Sequence, residues 1–266
     1  MSDKAEASKD RLQYHLKMKS GDVAEYVLLP GDRARVDLMC SYLEDVVLSG
    51  SNREYVAKTG LYHGIKVTVM STGMGCPAAA IATEELANIG AKVFIRTGST
   101  GALQPNIDLG DLVISSGAVK NEGTTRMYEP VEVPAVPDVH VLTALVKAAD
   151  QLRGELKFNY HVGITSSDDA FYGENDEFIK KMTSLGVLSL DMENSAIFTV
   201  ARLRRLGAGS IMAASENFSR KIIIPEQTPE QLKEGWRKET QVALKAVEML
   251  EGERRIPRAD RPLSPK

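Results

Sequence analysis

Residues Phe94–Leu103 read Phe-Ile-Arg-Thr-Gly-Ser-Thr-Gly-Ala-Leu. They follow "NIGAKV" (88–93), so an apolar run ends in small residues, which predicts a strand giving way to a loop. Arg96 stands where strand and loop meet. A guanidinium there costs several kcal/mol unless it is paired, so about that much must be returned by a partner. Two partners are open: a structural carboxylate or a bound oxyanion. Ser99 and Thr100 add hydroxyls, and Gly98 and Gly101 add approachable amides, which together suit an oxyanion.

The segments on either side set the fold class. Upstream, "PAAAIATEELANI" (77–89) predicts a helix with Pro77 at its first position and Gly90 just past its end. Before it, "EYVLLPGD" (25–32) and "IKVTVMSTGMG" (65–75) each predict a strand ending in a glycine turn. Downstream come strands at 110–119, 161–172 and 209–219, and a strand then a helix over 187–207, closed by Gly207. A helix fits 138–152, with Val139, Leu142, Leu145, Val146 and Ala149 on one face. A last helix opens at Thr228-Pro-Glu-Gln231, a capping-box pattern with Pro at the first helical position. Strands alternating with helices predict one α/β domain around a central, parallel or mixed sheet. Ligands of such sheets bind where strands end in loops, here 31–35, 72–77 and 98–101.

Composition narrows the function classes. The 266 residues suffice for a large core, and 43 % hydrophobic with 26 % charged residues is ordinary for a globular protein. A net charge of −3 gives no basic excess for nucleic acid. No apolar run reaches the roughly 20 residues of a membrane span. The opening residues lack the apolar core of a secretory signal, so a cytoplasmic setting is expected. Cys40 and Cys76 are too few for a disulfide framework, and reduced thiols are expected. The four histidines show no metal-ligand spacing. Flexible ends are expected at 1–12 and 252–266, the latter rich in Arg and Pro, around a domain at 13–251.

Other residues carry less by themselves. "GDRAR" (31–35) lets a backbone amide approach an anion at Gly31 while Arg35 adds charge, yet a glycine turn before a helix is more often structural. It lacks P-loop spacing, and "GMGCPA" (73–78) lacks the third glycine of a dinucleotide fingerprint. Arg53 in "SNREY" reads as a surface residue. Glu193, in "DMENSAIF", sits at the start of an apolar helix, either favoured by the helix dipole or available to sugar hydroxyls.

Taken in order, "GDRAR", "NREY", "STGMGCPAAAIATEEL", "FIRTGSTGAL", "EVPAVPD", "SSDDAFY" and "LDMENSAIF" resemble the hexameric nucleoside phosphorylases, over about residues 13–250. That family includes uridine phosphorylases and bacterial and archaeal purine nucleoside phosphorylases. The resemblance implies a single α/β domain with a mixed, partly barrel-like sheet, assembled as a homohexamer from dimers. It implies the reaction of a nucleoside with phosphate to free base and α-ribose 1-phosphate, with no metal or organic cofactor. By motif match, Gly31, Arg35, Arg96 and Ser99 resemble phosphate ligands, and Arg53 the arginine lent by a neighbouring subunit. His15 resembles the histidine that crosses the same interface to the ribose 5′-hydroxyl. Met192 and Glu193 resemble the ribose pair, with Ser99 also near the sugar. Phe171 resembles an aromatic wall, and Thr100, Gly101 and Glu216 fall at the base end.

The base end departs from both branches. Phe171-Tyr-Gly-Glu-Asn-Asp-Glu177 lacks the Gln-x-Arg element usual in uridine phosphorylases. Ser215-Glu216-Asn217 carries Glu where the purine enzymes carry the Asp that protonates the base. "YHL", "EPVEVPAVPD" (129–138) and "IPEQTPEQLKE" favour the uridine branch, while "SSDDAFY" resembles archaeal purine enzymes. Uridine is the expected substrate, with inosine, guanosine or adenosine as the alternative. A hydrolytic nucleosidase would not need Arg35, Arg53 and Arg96 together, and a non-catalytic nucleoside-binding protein would be expected to show a damaged site.

Overall fold

The strand that begins at Val93 does not stop at Arg96. In the structure, a computed structural model describing residues 11–222 and 228–253, β5 runs Val93–Ala102 as one continuous strand. The loop expected at 98–101 is therefore strand. The reason is tertiary: β9 (Gly207–Asn217) pairs in parallel with β5 along its whole length, from Val93↔Gly207 to Ala102↔Asn217. Small residues let that pairing continue where a larger side chain would collide. A Cβ on Gly101 would lie 2.5 Å from Phe218 Cε2.

Around β5 the chain builds β1 (Tyr26–Leu29), α1 (Ala34–Cys40), β2 (Glu44–Asn52), β3 (Tyr55–Tyr62), β4 (Ile65–Met70) and α2 (Cys76–Asn88). After it come β6 (Leu112–Asn121), α3 (Val139–Leu156), β7 (Tyr160–Asp168), α4 (Asp176–Ser184), β8 (Ser189–Asp191), α5 (Asn194–Leu203) and α6 (Glu230–Gly252). The strand order is β2-β3-β4-β1-β5-β8-β7-β6-β9, and β9 returns to β5. Five strands thus close into a barrel, and β2-β3-β4-β1 extends from it as an open, mixed sheet. Closure removes the two edges that β5 and β9 would otherwise expose.

Alternation along the strands divides the core. Tyr26, Leu28, Val93 and Ile95 pack with α1, α3 and α6. Val27, Leu29 and Phe94 pack with α2 and α5. All eleven residues of β9 are buried, as a strand covered on both faces requires.

Several local expectations need correction. The buried stripe of α3 is Val141, Ala144, Leu145, Ala148 and Ala149, and Val139 is exposed. The helix starts at Val139 with Asp138 as its cap, which turns Val139 outward at the first position. α5 ends at Leu203, and Gly207 opens β9 instead of closing the helix. The turn between them is made by Arg205, with φ 58°. No capping box forms at Thr228: Pro229 precedes α6 without a side-chain cap, and its carbonyl accepts from Leu232 and Lys233. The hairpin β2–β3 and helix α4 were not anticipated. The flexible ends expected at 1–12 and 252–266 lie outside the described residues, apart from 11, 12, 252 and 253.

Candidate active site

β1 ends at Leu29, directly opposite Arg96. On that same edge β5 next pairs with β8, at Gly101↔Leu190 and Ala102↔Ser189. Residues 97–100 lie between the two pairings, so this edge opens where β1 stops. Such a crevice at strand carboxyl ends is where α/β sheets bind ligands. By alternation Arg96 points to the α5 side and Thr97 and Ser99 to the α1/α6 side. Thr97 accordingly approaches Met39 of α1, and Ser99 accepts a hydrogen bond from Trp236 Nε1 of α6 at 3.0 Å.

Arg96 is 4 % exposed. Its Nη2 donates to Glu193 Oε2 at 2.5 Å, and Nη1 donates to the carbonyls of Leu29 (3.3 Å) and Thr97 (3.1 Å). Of the two partners open in the sequence, the fold supplies a carboxylate. Nε, however, has no hydrogen-bond partner among the described residues. Gly98 makes this arrangement possible, since a Cβ there would lie 2.7 Å from the guanidinium carbon and both terminal nitrogens.

Arg35, from the first turn of α1, reaches the same place from the opposite face. Gly31 lies between them: a Cβ on it would be 3.6 Å from Arg96 Nη1 and 3.7 Å from Arg35 Nη2. Arg35 also lies 5.1 Å over the Trp236 ring. Its Nη1 is 3.7 Å from Glu239 Oε1, too long for a hydrogen bond, and has no other partner among the described residues. Burial pushes the Arg35 guanidinium down from its ordinary value, opposed by Glu239 and reinforced by Arg96. Burial pushes the Glu239 carboxyl up to about 8, against the pull of both arginines.

Glu193 is held from three sides. Its Oε1 accepts the Gly75 amide at 2.7 Å, and its own amide donates to Asp191 Oδ2 at 3.1 Å. Asp191 also accepts from Asn194 N (2.8 Å) and so secures the start of α5. Burial, then the charge of Glu193, raises the Asp191 carboxyl to about 6. Glu193 stands at the N-cap position of α5 but its side chain does not cap the helix and is not free, and Met192 beside it is partly exposed.

The fold brings together Gly31, Arg35, Arg96, Ser99 and Glu193. Neither His15 nor Arg53 makes a hydrogen bond to that group among the described residues, and His15 is tied to Asn52, the residue before Arg53. His15 Nδ1 lies 2.7 Å from Glu85 Oε1, and the His15 carbonyl accepts from Asn52 Nδ2 at 2.6 Å. Arg53 is exposed at the β2–β3 turn with φ 55°. At the base end Thr100 spends its hydroxyl on the Leu190 carbonyl (2.7 Å), fastening β5 to β8. Gly101 leaves space for Glu216, whose Oε1 would be 3.2 Å from a Cβ there. Phe171 is 44 % exposed and meets Tyr172 edge-on at 5.2 Å.

Sequence reasoning missed four site residues. Glu239 and Trp236 lie on α6, where the signal was a charged residue on an otherwise apolar helix face. Asp168 and Glu174 lie at the other end, Glu174 near both Asp168 and Glu216. Burial pushes all three carboxyls up, Glu174 to about 7 with help from the charges of Asp168 and Glu216. Among the described residues no group of His, Cys, Asp and Glu side chains is placed to hold a metal ion, and no helix is long and apolar enough to cross a membrane.

Comparison with known proteins bears on the same chemistry. Residues 25–249 match the family described as Phosphorylase superfamily. The chain is 40 % identical over 242 residues to a guanosine phosphorylase of Halorubrum lacusprofundi, covering 90 % of this chain and 99 % of that one. It is 43 % identical over 223 residues to a uridine phosphorylase of Thermococcus kodakarensis, covering 79 % of each. Among solved structures it is similar to a uridine phosphorylase of Vibrio fischeri, with a TM-score of 0.81 at 33 % identity, covering 92 % of this chain and 99 % of that one.

Proposed function

The chain belongs to the phosphorylase superfamily, and from that premise we propose that it is a nucleoside phosphorylase, a pentosyltransferase that cleaves a ribonucleoside with inorganic phosphate. The observation that carries the reading is the pair of buried arginines converging on Gly31, each with an N–H that has no hydrogen-bond partner among the described residues. Phosphate supplies the acceptors those donors lack.

The reaction asks for little covalent chemistry from the protein. A phosphate oxygen forms a bond to the anomeric carbon as the bond to the base nitrogen breaks. Its electron pair leaves with the base, which takes a proton, and the sugar departs as α-ribose 1-phosphate. Cationic character builds on the ribose, and phosphate beneath it is held by Arg35, Arg96, Ser99 and the Gly31 amide. Glu193 accepts from the 2′- and 3′-hydroxyls beside Met192. Catalysis then comes from positioning and from charge fixed before the reaction begins. One such contact contributes about 2.7–4 kcal/mol to transition-state stability.

Uridine is the favoured nucleoside, supported by the relatives that carry that name. A second reading, a purine nucleoside, is favoured by the carboxyls of Asp168, Glu174 and Glu216. Raised carboxyls can donate a proton to a purine ring nitrogen, and carboxylates accept from the N–H groups of guanine. The similarity to a guanosine phosphorylase points the same way.

Assembly as a homohexamer, a cytoplasmic setting and independence from any metal or organic cofactor belong to the same proposal. Arg53 is exposed and His15 is tied to the adjacent Asn52, which supports their service to a neighbouring subunit's site. The deciding experiment measures consumption of uridine, thymidine, inosine, guanosine and adenosine with and without phosphate. Cleavage of one or more that requires phosphate is expected. Equal cleavage in phosphate-free buffer would make the protein a hydrolase.

A further inference from the structure

α6 carries Leu232, Gly235, Val242, Ala243 and Val247 on its buried side, and one carboxyl among them, Glu239. Gly235, one turn earlier, lets the helix press on the sheet: a Cβ there would lie 2.8 Å from Ala213 Cβ of β9. Glu239 is thereby driven to 1 % exposure, where an ionised carboxylate is retained only with good partners. Its partners fall short. Arg35 stands 3.7 Å away, and Glu239 Oε2 has no hydrogen bond among the described residues. The other groups facing it are Arg96 from β5 and the backbone amides of Gly98 and Ala213. Arg96 is already closely paired with Glu193.

Resting on the reading of this site as a phosphate site, we propose that Glu239 is a positioning residue for Arg35 and Arg96 that exchanges its charge with the bound anion. Without phosphate, and at pH above about 8, ionised Glu239 offsets the arginines from the α6 side. When phosphate arrives, the arginines turn their charge to its oxygens, and a second anion beside them in a low-dielectric interior is unfavourable. Glu239 then takes one proton from solvent, and no bond other than that O–H is made or broken. Burial lifts its carboxyl to about 8, so below that pH Glu239 is already protonated and the exchange is confined to pH near and above 8.

The coupling has a readout that packing alone would not move. In the intact protein, the KM for phosphate should rise by up to about tenfold per pH unit above pH 8, beyond the titration of phosphate itself. Glu239→Gln, neutral at every pH, should flatten that rise. Calorimetry with inorganic phosphate at pH 8, in two buffers of different ionisation heat, should show more proton uptake by the wild type than by the variant. Equal uptake and superimposable KM profiles would overturn the inference. Should Glu239→Gln fail to fold, the wild type decides alone: net proton uptake at pH 8 supports the exchange and its absence overturns it. A wild type that binds no phosphate overturns the proposed function and this inference with it. A wild type that binds phosphate without the extra proton overturns the inference only.

Discussion

Arg96→Ala would leave Glu193 buried with, among the described residues, only the Gly75 amide on its oxygens. Breaking a buried ion pair from one side costs about 3–5 kcal/mol, so this variant should lose stability in chemical denaturation as well as phosphate use. Arg96→Lys keeps a charge and should lose less stability, yet it lacks the fork that reaches Glu193 and two carbonyls at once. Gly98→Ala is the cleaner probe. Its methyl group would enter the space of the guanidinium, so kcat/KM for phosphate should fall at least about tenfold, equivalent to about 1.4 kcal/mol, while the far-ultraviolet circular dichroism stays unchanged. At the base end the pH sign can be worked out. The folded Glu174 carboxyl, at about 7, lies above its ordinary value. Its contribution to stability is complete below about pH 4.3, the ordinary glutamate value, and is lost as pH rises through 7. Glu174→Gln should therefore lose less stability than the wild type between those limits, as read from thermal unfolding in a pH series.

The helix starts separate local rules that operate from rules that tertiary packing overrides. Asp138 Oδ1 accepts from the amides of His140 and Val141 at the start of α3. Asp138→Ala should cost about 1 kcal/mol, a typical N-cap loss. Thr228→Ala should change stability by a few tenths or less, because Thr228 makes no cap; paired denaturation curves check both. The pattern around Thr228 was sound as sequence, but the helix enters through an extended Pro229 instead, with ψ 150°. β5 shows the opposite failure. Gly98, Ser99, Thr100 and Gly101 read as a loop because two glycines bracket small polar residues, and β9 overrode that signal by pairing with every one of them. The face assigned to α3 slipped for a simpler reason: several registers of an apolar helix satisfy the same periodicity, and only the sheet beneath selects one.

For the whole molecule, the proposed shared site gives a sharp test. A protomer carrying Arg53→Ala retains its own arginine pair, and a protomer carrying Arg96→Ala can still lend Arg53. Each variant alone should be nearly inactive, and mixing them under conditions that allow subunit exchange should restore activity to a fraction of the wild type. No recovery after verified exchange would mean that Arg53 does not serve a neighbouring site. The sequence by itself determined the α/β class, the alternation of strands and helices, and the small residues that leave room beside Gly31. These are legible because periodicity, turn chemistry and motif order are properties of neighbours in the chain. Only the tertiary structure decided that β5 continues past β1, that β9 closes a barrel on it, and that Arg35 and Arg96 meet from opposite faces. Glu239 was hidden for the same reason: a lone carboxyl in an apolar helix face has no meaning until packing shows what lies across from it, and burial, which moves its proton, exists only in the folded chain.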